Sequence, residues 1–267
     1  MMRRIWNDLT SMRLLLALFI CICLISCSQD KTTETIRSAY YWSTTWQIDS
    51  SKMNFIQKHH IKRLYVRFFD VVRDADGEIM PNATLQFDTT DENMTTEEKE
   101  KESLMPKGME IIPVVYIVNN CFKAKTKTNS ISSDKSGGKS SDETPRQLAD
   151  KILNRILQMN EANDIENVKE IQIDCDWTAS TQEAYFEFLH ILKEKAKDKK
   201  MQLSATIRLH QLSMTPPPVD RGILMMYNTG DVKQLSCQKP ILDMKDVAPY
   251  IQHLASYPLP LSAAYPL

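Results

Sequence analysis

Only six glycines stand in 267 residues, and none falls into the G-x-G-x-x-G spacing that lets a backbone loop cradle a pyrophosphate. A dinucleotide-binding sheet of the usual kind is thereby disfavoured. A surplus of one charge is also missing. The 33 Lys and Arg against 34 Asp and Glu leave a formal net charge of -1, so nothing points to nucleic acid as a partner. His59, His60, His190, His210 and His253 show no metal-ligand spacing, so neither a metal site nor a cofactor is expected. Cysteine is sparse and unevenly placed. With Cys21, Cys23 and Cys27 near the N-terminus, only Cys121, Cys175 and Cys237 remain for the folded part. Three scattered thiols make neither a disulfide framework nor a zinc site.

What is present begins with a processing segment. Arg3, Arg4 and Arg13 precede the apolar run 14–25, which ends at Ser26-Cys27. A basic start, a short apolar core and a small residue at the break describe a secretory signal peptide, and the run is too short to span a membrane comfortably. Leu24-Ile25-Ser26-Cys27 resembles the bacterial lipobox, whose cysteine is lipidated and becomes the mature N-terminus. A plain signal peptide is the alternative. Lipidation of Cys27 would tether the protein to the bacterial cell envelope, at the periplasmic face of the outer membrane or at the cell surface. No aspartate follows Cys27 directly, so inner-membrane retention is not suggested. Residues 28–38 then read as a tether and 39–267 as one folded region.

Within that region strand and helix patterns alternate. Ala39–Trp46 is aromatic and β-branched, and Ile61–Val71 and Met109–Val118 are apolar strands. Pro113 suggests a bulge or irregular start in the third. Residues 123–143 are rich in Lys, Ser, Thr and Gly and read as a flexible insertion. Thr144-Pro145 opens an amphipathic helix, and Ser180 or Thr181 opens another. Further strands are expected at 168–178, 201–208, 222–228 and 259–265, with short helices near 50–60, 95–104 and 246–256. Strand–helix alternation implies a parallel sheet. Seven strand candidates fit a (β/α)8 TIM-barrel-like fold better than a five-stranded open sheet. The eighth strand and last helices are lacking, so the barrel is expected to be incomplete. A truncated chain or an unusual closing element would account for that.

The strand at 168–178 is the odd one. Alternation puts Gln172, Asp174, Asp176 and Thr178 on one face and Ile171, Ile173, Cys175 and Trp177 on the other. Buried carboxylates need partners, and Arg67 and Arg208 are the natural ones. Such a network could equally be purely structural. Barrel enzymes place their sites at the C-terminal strand ends. Those ends carry Trp46, Asp70, Asn119 or Asn120, Asp176 beside Trp177, Arg208 with His210, Tyr227 with Asn228, and Tyr265. The aromatic share of this set suits sugar rings.

Ile173-Asp-Cys-Asp-Trp-Thr178 resembles the fourth-strand Asp-x-Asp-x-Glu signature of family-18 glycoside hydrolases, the chitinase and endo-N-acetylglucosaminidase group. Met225-Met-Tyr-Asn228 resembles their sixth-strand Met-x-Tyr-Asp. The whole is also similar to a group of bacterial lipoproteins with barrels of this kind. The resemblance implies a glycan ligand and places Asp174, Asp176 and Tyr227 at the catalytic positions. Trp46, Arg67, Asp70, Asn119, Trp177, Arg208, Asn228 and Tyr265 would then contact substrate. The departures are Asn228 for an aspartate and Thr178 for the proton-donating Glu. A threonine is no general acid near neutral pH, and losing one costs about 10²–10⁴-fold. Glu183 or Asp70 could offer a carboxyl from another direction. Three readings stay open: a glycan-hydrolysing barrel, a non-catalytic relative that binds a carbohydrate or protein, and a lipoprotein with a structural role.

Overall fold

The computed structural model describes residues 35–87, 106, 108–123, 144–227, 229, 230, 239 and 241–266. The expected signal peptide with Cys27, most of the tether, the helix near 95–104, the insertion beyond residue 123, Asn228 and Cys237 lie outside the described residues. The chain divides after Ile36 into two units, and the architecture below is that of Arg37–Leu267.

Its strands are β1 (Ser38–Tyr41), β2 (Thr45–Trp46), β3 (Arg63–Arg73), β4 (Ile79–Asn82), β5 (Gln86–Phe87), β6 (Glu110–Ile117), β7 (Glu170–Asp174), β8 (Gln202–Ile207), β9 (Arg221–Met225) and β10 (Leu261–Ala264). The helices are α1 (Ser50–Lys58), α2 (Pro145–Ala162), α3 (Gln182–Asp198) and α4 (Met244–Ile251). Seven strands pair in parallel in the order β1-β3-β6-β7-β8-β9-β10, and β4 folds back antiparallel on β3. Among the described residues β1 and β10 are not paired with each other. The sheet is therefore an open, curled, incomplete barrel, as the sequence pattern implies. The curl is visible in side-chain reach. Tyr65 on β3 accepts a hydrogen bond from Arg221 Nη2 on β9 at 2.7 Å. In a flat sheet those strands, four positions apart, would be separated by about 19 Å.

Alternation along the strands sorts the side chains between one inner cluster and two outer ones, the smaller outer one formed by Ile207, Leu212, Leu224, Met226 and Val247. Leu64, Val66, Ile111, Ile117, Ile171, Ile173, Cys175 and Leu203 face outward into the large cluster built with α2 and α3. Tyr65, Ile112, Val114, Ile223 and Met225, with Tyr40, Tyr227 and Ala264 against them, form the smaller inner cluster. Both helices have the faces that this requires. Helix α2 buries Leu148, Ile152 and Ile156 and is held at its start by a capping box between Thr144 and Gln147. Helix α3 buries Tyr185, Phe188, Leu189 and Leu192. Below the inner cluster, at the N-terminal strand ends, lies an ionic floor. Arg63 pairs with Glu110 at 2.8 Å, and both Arg63 and Arg221 face the buried Glu170 at 3.8 and 3.7 Å.

Two expectations need correction. The run 39–46 is not one strand: β1 ends at Tyr41, and Thr45–Trp46 pairs with β5 in a separate two-stranded sheet. Pro113 sits in regular register opposite Val66, and the pairing of β6 to β7 begins only at Val114. The irregularity lies instead in the partner strand, between Arg67 and Phe69. That shift also takes Arg67 out of phase with Phe69. Phe69 belongs to the outer core, beneath Arg155 of α2, and Asp70 is turned inward in its place. The β8–β9 connection is a 3-10 turn at Leu209–Ser213 followed by prolines, with no helix. Among the described residues no helix is long and apolar enough to cross a membrane.

Candidate functional site

The C-terminal strand ends converge on Asp174, the last residue of β7. Its carboxylate is buried, at 4% exposure. Oδ1 accepts hydrogen bonds from Thr206 Oγ1 at 2.5 Å and Arg208 Nη2 at 2.8 Å. Both partners come from the end of β8 and lie two residues apart, as a shared strand face requires. Burial works against the charge of Arg208, but Asp174, Tyr227 and Asp176 outweigh it and hold the guanidinium more firmly protonated than usual. One layer below, Gln172 accepts from the Tyr40 hydroxyl at 2.7 Å and donates to Ser204 Oγ at 3.3 Å. Burial pushes the Tyr40 phenol well above its ordinary value, with Tyr65 and then Asp174 adding to the effect. Tyr116 and Tyr227 are raised in the same way, first by burial.

Above this floor opens a cleft of about 480 Å³ lined by Asp176, Arg208, His210, Tyr227, Asp246 and Tyr250 among others. Asp176 is exposed, and its Oδ1 lies 3.7 Å from His210 Nε2. The loop that carries Asp176 is fixed from behind. Trp177 is fully buried against Tyr185 and Phe186 of α3, and its carbonyl accepts from the buried Gln211 at 3.0 Å. The cleft wall is thus built by inward and outward alternation continuing past the end of β7.

The β1 side of the sheet carries a second feature. Trp42 stacks on Tyr40 at 5.8 Å with nearly parallel rings, and Tyr40 stacks on Tyr65 at 4.9 Å. Arg67 lies over the Trp42 ring at 5.9 Å and clasps Asp70 through two hydrogen bonds, one of them from Nε at 2.7 Å. Arg67 and Asp70 are three residues apart in a strand, so only the register shift between Arg67 and Phe69 lets both point inward.

Among the residues singled out from the sequence, Asp174, Asp176, Arg208 and Tyr227 are brought together at or under the cleft; Arg67 and Asp70 do not line it, and Asp70 is level with Asp174 across the sheet through Tyr116. Others stand elsewhere. Trp46 is buried in the outer core beside Tyr41 and Phe87. Trp177 faces α3. Tyr265 is 61% exposed beyond β10. Glu183 is exposed on the first turn of α3 and does not line the cleft. Asn119 serves the loop: its Oδ1 accepts from Thr181 Oγ1 at 2.6 Å, and its Nδ2 is 3.4 Å from Thr178 Oγ1. Thr178 itself is exposed and engages Ser180 at 3.0 Å. Asn228 and Cys27 lie outside the described residues. Among the described residues no group of three or more His, Cys, Asp or Glu could hold a metal ion.

Sequence reasoning missed Trp42, Tyr40, Asp246 and Tyr250. Period-two alternation from Tyr40 would have found Trp42, had the strand been ended at Tyr41. No sequence signal brings Asp246 and Tyr250, on α4, across from Asp176.

No family model matches this sequence, and no curated protein does. The chain is similar in structure to the spore cortex-lytic enzyme SleL of Bacillus cereus, at 20% identity and a TM-score of 0.49, over 85% of this chain and 49% of that one. It is similar to SleL of Bacillus megaterium QM B1551 at 14% identity and 0.46, over 86% and 51%. It is also similar to the GH18 chitinase ChiB of Flavobacterium johnsoniae at 13% identity and 0.45, over 85% and 67%. The chain spans about half the length of the two spore enzymes. These likenesses concern the fold.

Proposed function

We propose that this chain is a glycan-binding barrel, tethered to the bacterial cell envelope through acyl chains on Cys27, whose mouth no longer carries family-18 chemistry. The observation that carries the binding reading is the open, tyrosine-lined cleft over the Asp174–Arg208 pair. Asp174 is buried with its partners fixed, so it serves as a preorganised floor. Asp176 and Tyr227 present polar groups that a sugar can hydrogen-bond. Trp42, stacked on Tyr40 just past the end of β1, offers a further aromatic platform. The resemblance at 173–178 and 225–228 supports a glycan as the ligand.

Against turnover by that family's route stands Thr178. It stands at the sequence position where the resemblance puts the proton-donating Glu, and its hydroxyl is 3.0 Å from Ser180 Oγ and 3.4 Å from Thr181 Oγ1. A hydrolytic reading has one observation in its favour: Asp176, His210 and Asp246 are ionisable groups lining one cleft.

The test is calorimetric titration of the domain with chito-oligosaccharides, paired with product analysis. Binding without products is expected, weakened at least about tenfold by Trp42→Ala or Tyr227→Ala, in keeping with the loss of a central aromatic contact. Products that appear with the unaltered protein and vanish in Asp176→Asn would replace the binding reading by catalysis. Absence of any binding would remove both.

A further inference from the structure

We infer that Asp246 is a specificity-determining residue of this cleft and selects sugars that carry a positive charge, amino sugars with a free ammonium, over neutral and acidic ones. The inference rests on the glycan-binding reading of the site. Its starting point is the unequal pairing of the charges around the mouth. Both arginines there are already committed: Arg67 clasps Asp70, and Arg208 lies 2.8 Å from Asp174. Neither leaves an unmatched cation to greet an anionic ligand. The two remaining carboxylates of the cleft wall, Asp176 and Asp246, come from opposite sides, the end of β7 and the first turn of α4. Among the described residues neither is paired with Lys or Arg. Asp176 has His210 Nε2 at 3.7 Å and feels the charge of Arg208, whose hydrogen-bonded carboxylate is Asp174. With Arg208 balanced by Asp174, the wall contributes two negative charges before His210 is counted.

The same cleft holds the faces or edges of Tyr227 and Tyr250. Carboxylates interleaved with aromatic rings suit an ammonium, which gains from both the charge and the ring quadrupole. A sugar acid would meet two like charges at close range, and a neutral acetamido sugar would gain from neither. Asp246 lies outside both sequence motifs that carry the resemblance, so its role does not follow from them.

The experiment compares affinities for chitohexaose with free amines, its fully N-acetylated counterpart and a hyaluronan hexasaccharide, at low salt and in about 0.5 M NaCl, where exposed charges are screened. The amine form is expected to bind about three- to twentyfold more tightly than the acetylated form, as two exposed charge pairs allow, and the acidic oligosaccharide most weakly. That ratio should shrink toward one at high salt and in Asp246→Asn, and invert in the charge-reversed Asp246→Lys. Circular dichroism confirms that each variant is folded. Equal affinities for the amine and acetylated forms, or a ratio unchanged in Asp246→Asn, would overturn the role of Asp246 and leave the glycan reading standing. If none of the three oligosaccharides binds, both fall.

Discussion

Glu170 shows what a single side chain does in this interior. It is 2% exposed and stands between Arg63 and Arg221, with the Tyr65 hydroxyl 3.5 Å away. Buried ion pairs of this kind add little over an apolar alternative, but removing one member strands the others. Glu170→Ala is expected to destabilise the fold by about 3–5 kcal/mol, and Glu170→Gln by less because its amide oxygen can still accept. The unfolding midpoint in urea checks this, and a loss for Glu170→Ala within about 0.5 kcal/mol of zero would show that the floor is dispensable. At this scale much was legible in the sequence. Asp174 and Arg208 sit in phase on neighbouring strands, and their pairing follows from alternation. Arg67 and Asp70 were legible separately but not together, because the register shift that turns both inward leaves no mark in the residues around Phe68. Trp46 and Trp177 were misplaced for one common reason. An aromatic residue near a strand end serves a core or a cleft according to one step of phase, and composition does not reveal that step.

The ends of the helices show how the chain manages with so few glycines. Helices α1, α2 and α3 each terminate in a left-handed residue, His60 at φ 53°, Asp164 at φ 51° and Lys200 at φ 61°. Each is followed by a buried apolar residue, Ile61, Ile165 or Met201, whose N–H bonds back to Ile56, Asn160 or Ala196. This is the Schellman arrangement, in which glycine is the usual left-handed residue. A side chain there is strained against the following carbonyl. Lys200→Gly is therefore expected to stabilise the protein by roughly 0.5–1 kcal/mol, the relief of strain less the added freedom of the unfolded chain. A thermal shift to lower temperature would contradict it. Gly222 is the reverse case. A Cβ there would lie 2.6 Å from Leu261 and 2.8 Å from Ile207, so its small size is what lets β10 lie close to β9. The strands and helices were mostly legible from periodicity and caps. The break after Tyr41 was not, since Trp42-Ser43-Thr44 carries neither glycine nor proline to announce a turn.

For the whole molecule, the interior phenols set a limit at high pH. Six of the nine tyrosines, Tyr40, Tyr65, Tyr116, Tyr185, Tyr227 and Tyr257, are raised above the ordinary value of 10.0, Tyr257 to about 12, each chiefly by burial. The folded state keeps these protons after the unfolded chain has begun to release them. Stability is thus full below about pH 10 and declines as pH climbs from there through the folded values. Absorbance at 295 nm should show these six phenols ionising together with loss of circular dichroism. Ionisation of all nine with the dichroism intact would contradict the burial of the inner cluster. The order of the strands has a different kind of consequence. Along the seven-stranded path the strands are laid side by side in chain order, and the described residues include no first-to-last pairing of the kind that closes a barrel. That pairing would be the contact of greatest sequence separation. Among the described strands each pairing joins neighbours in the sheet path, while the contacts across the curl, such as Tyr65 with Arg221, span as many as 156 residues. A ribosome could deliver this sheet from its N-terminal edge onward, each new strand docking as it emerges on one already in place.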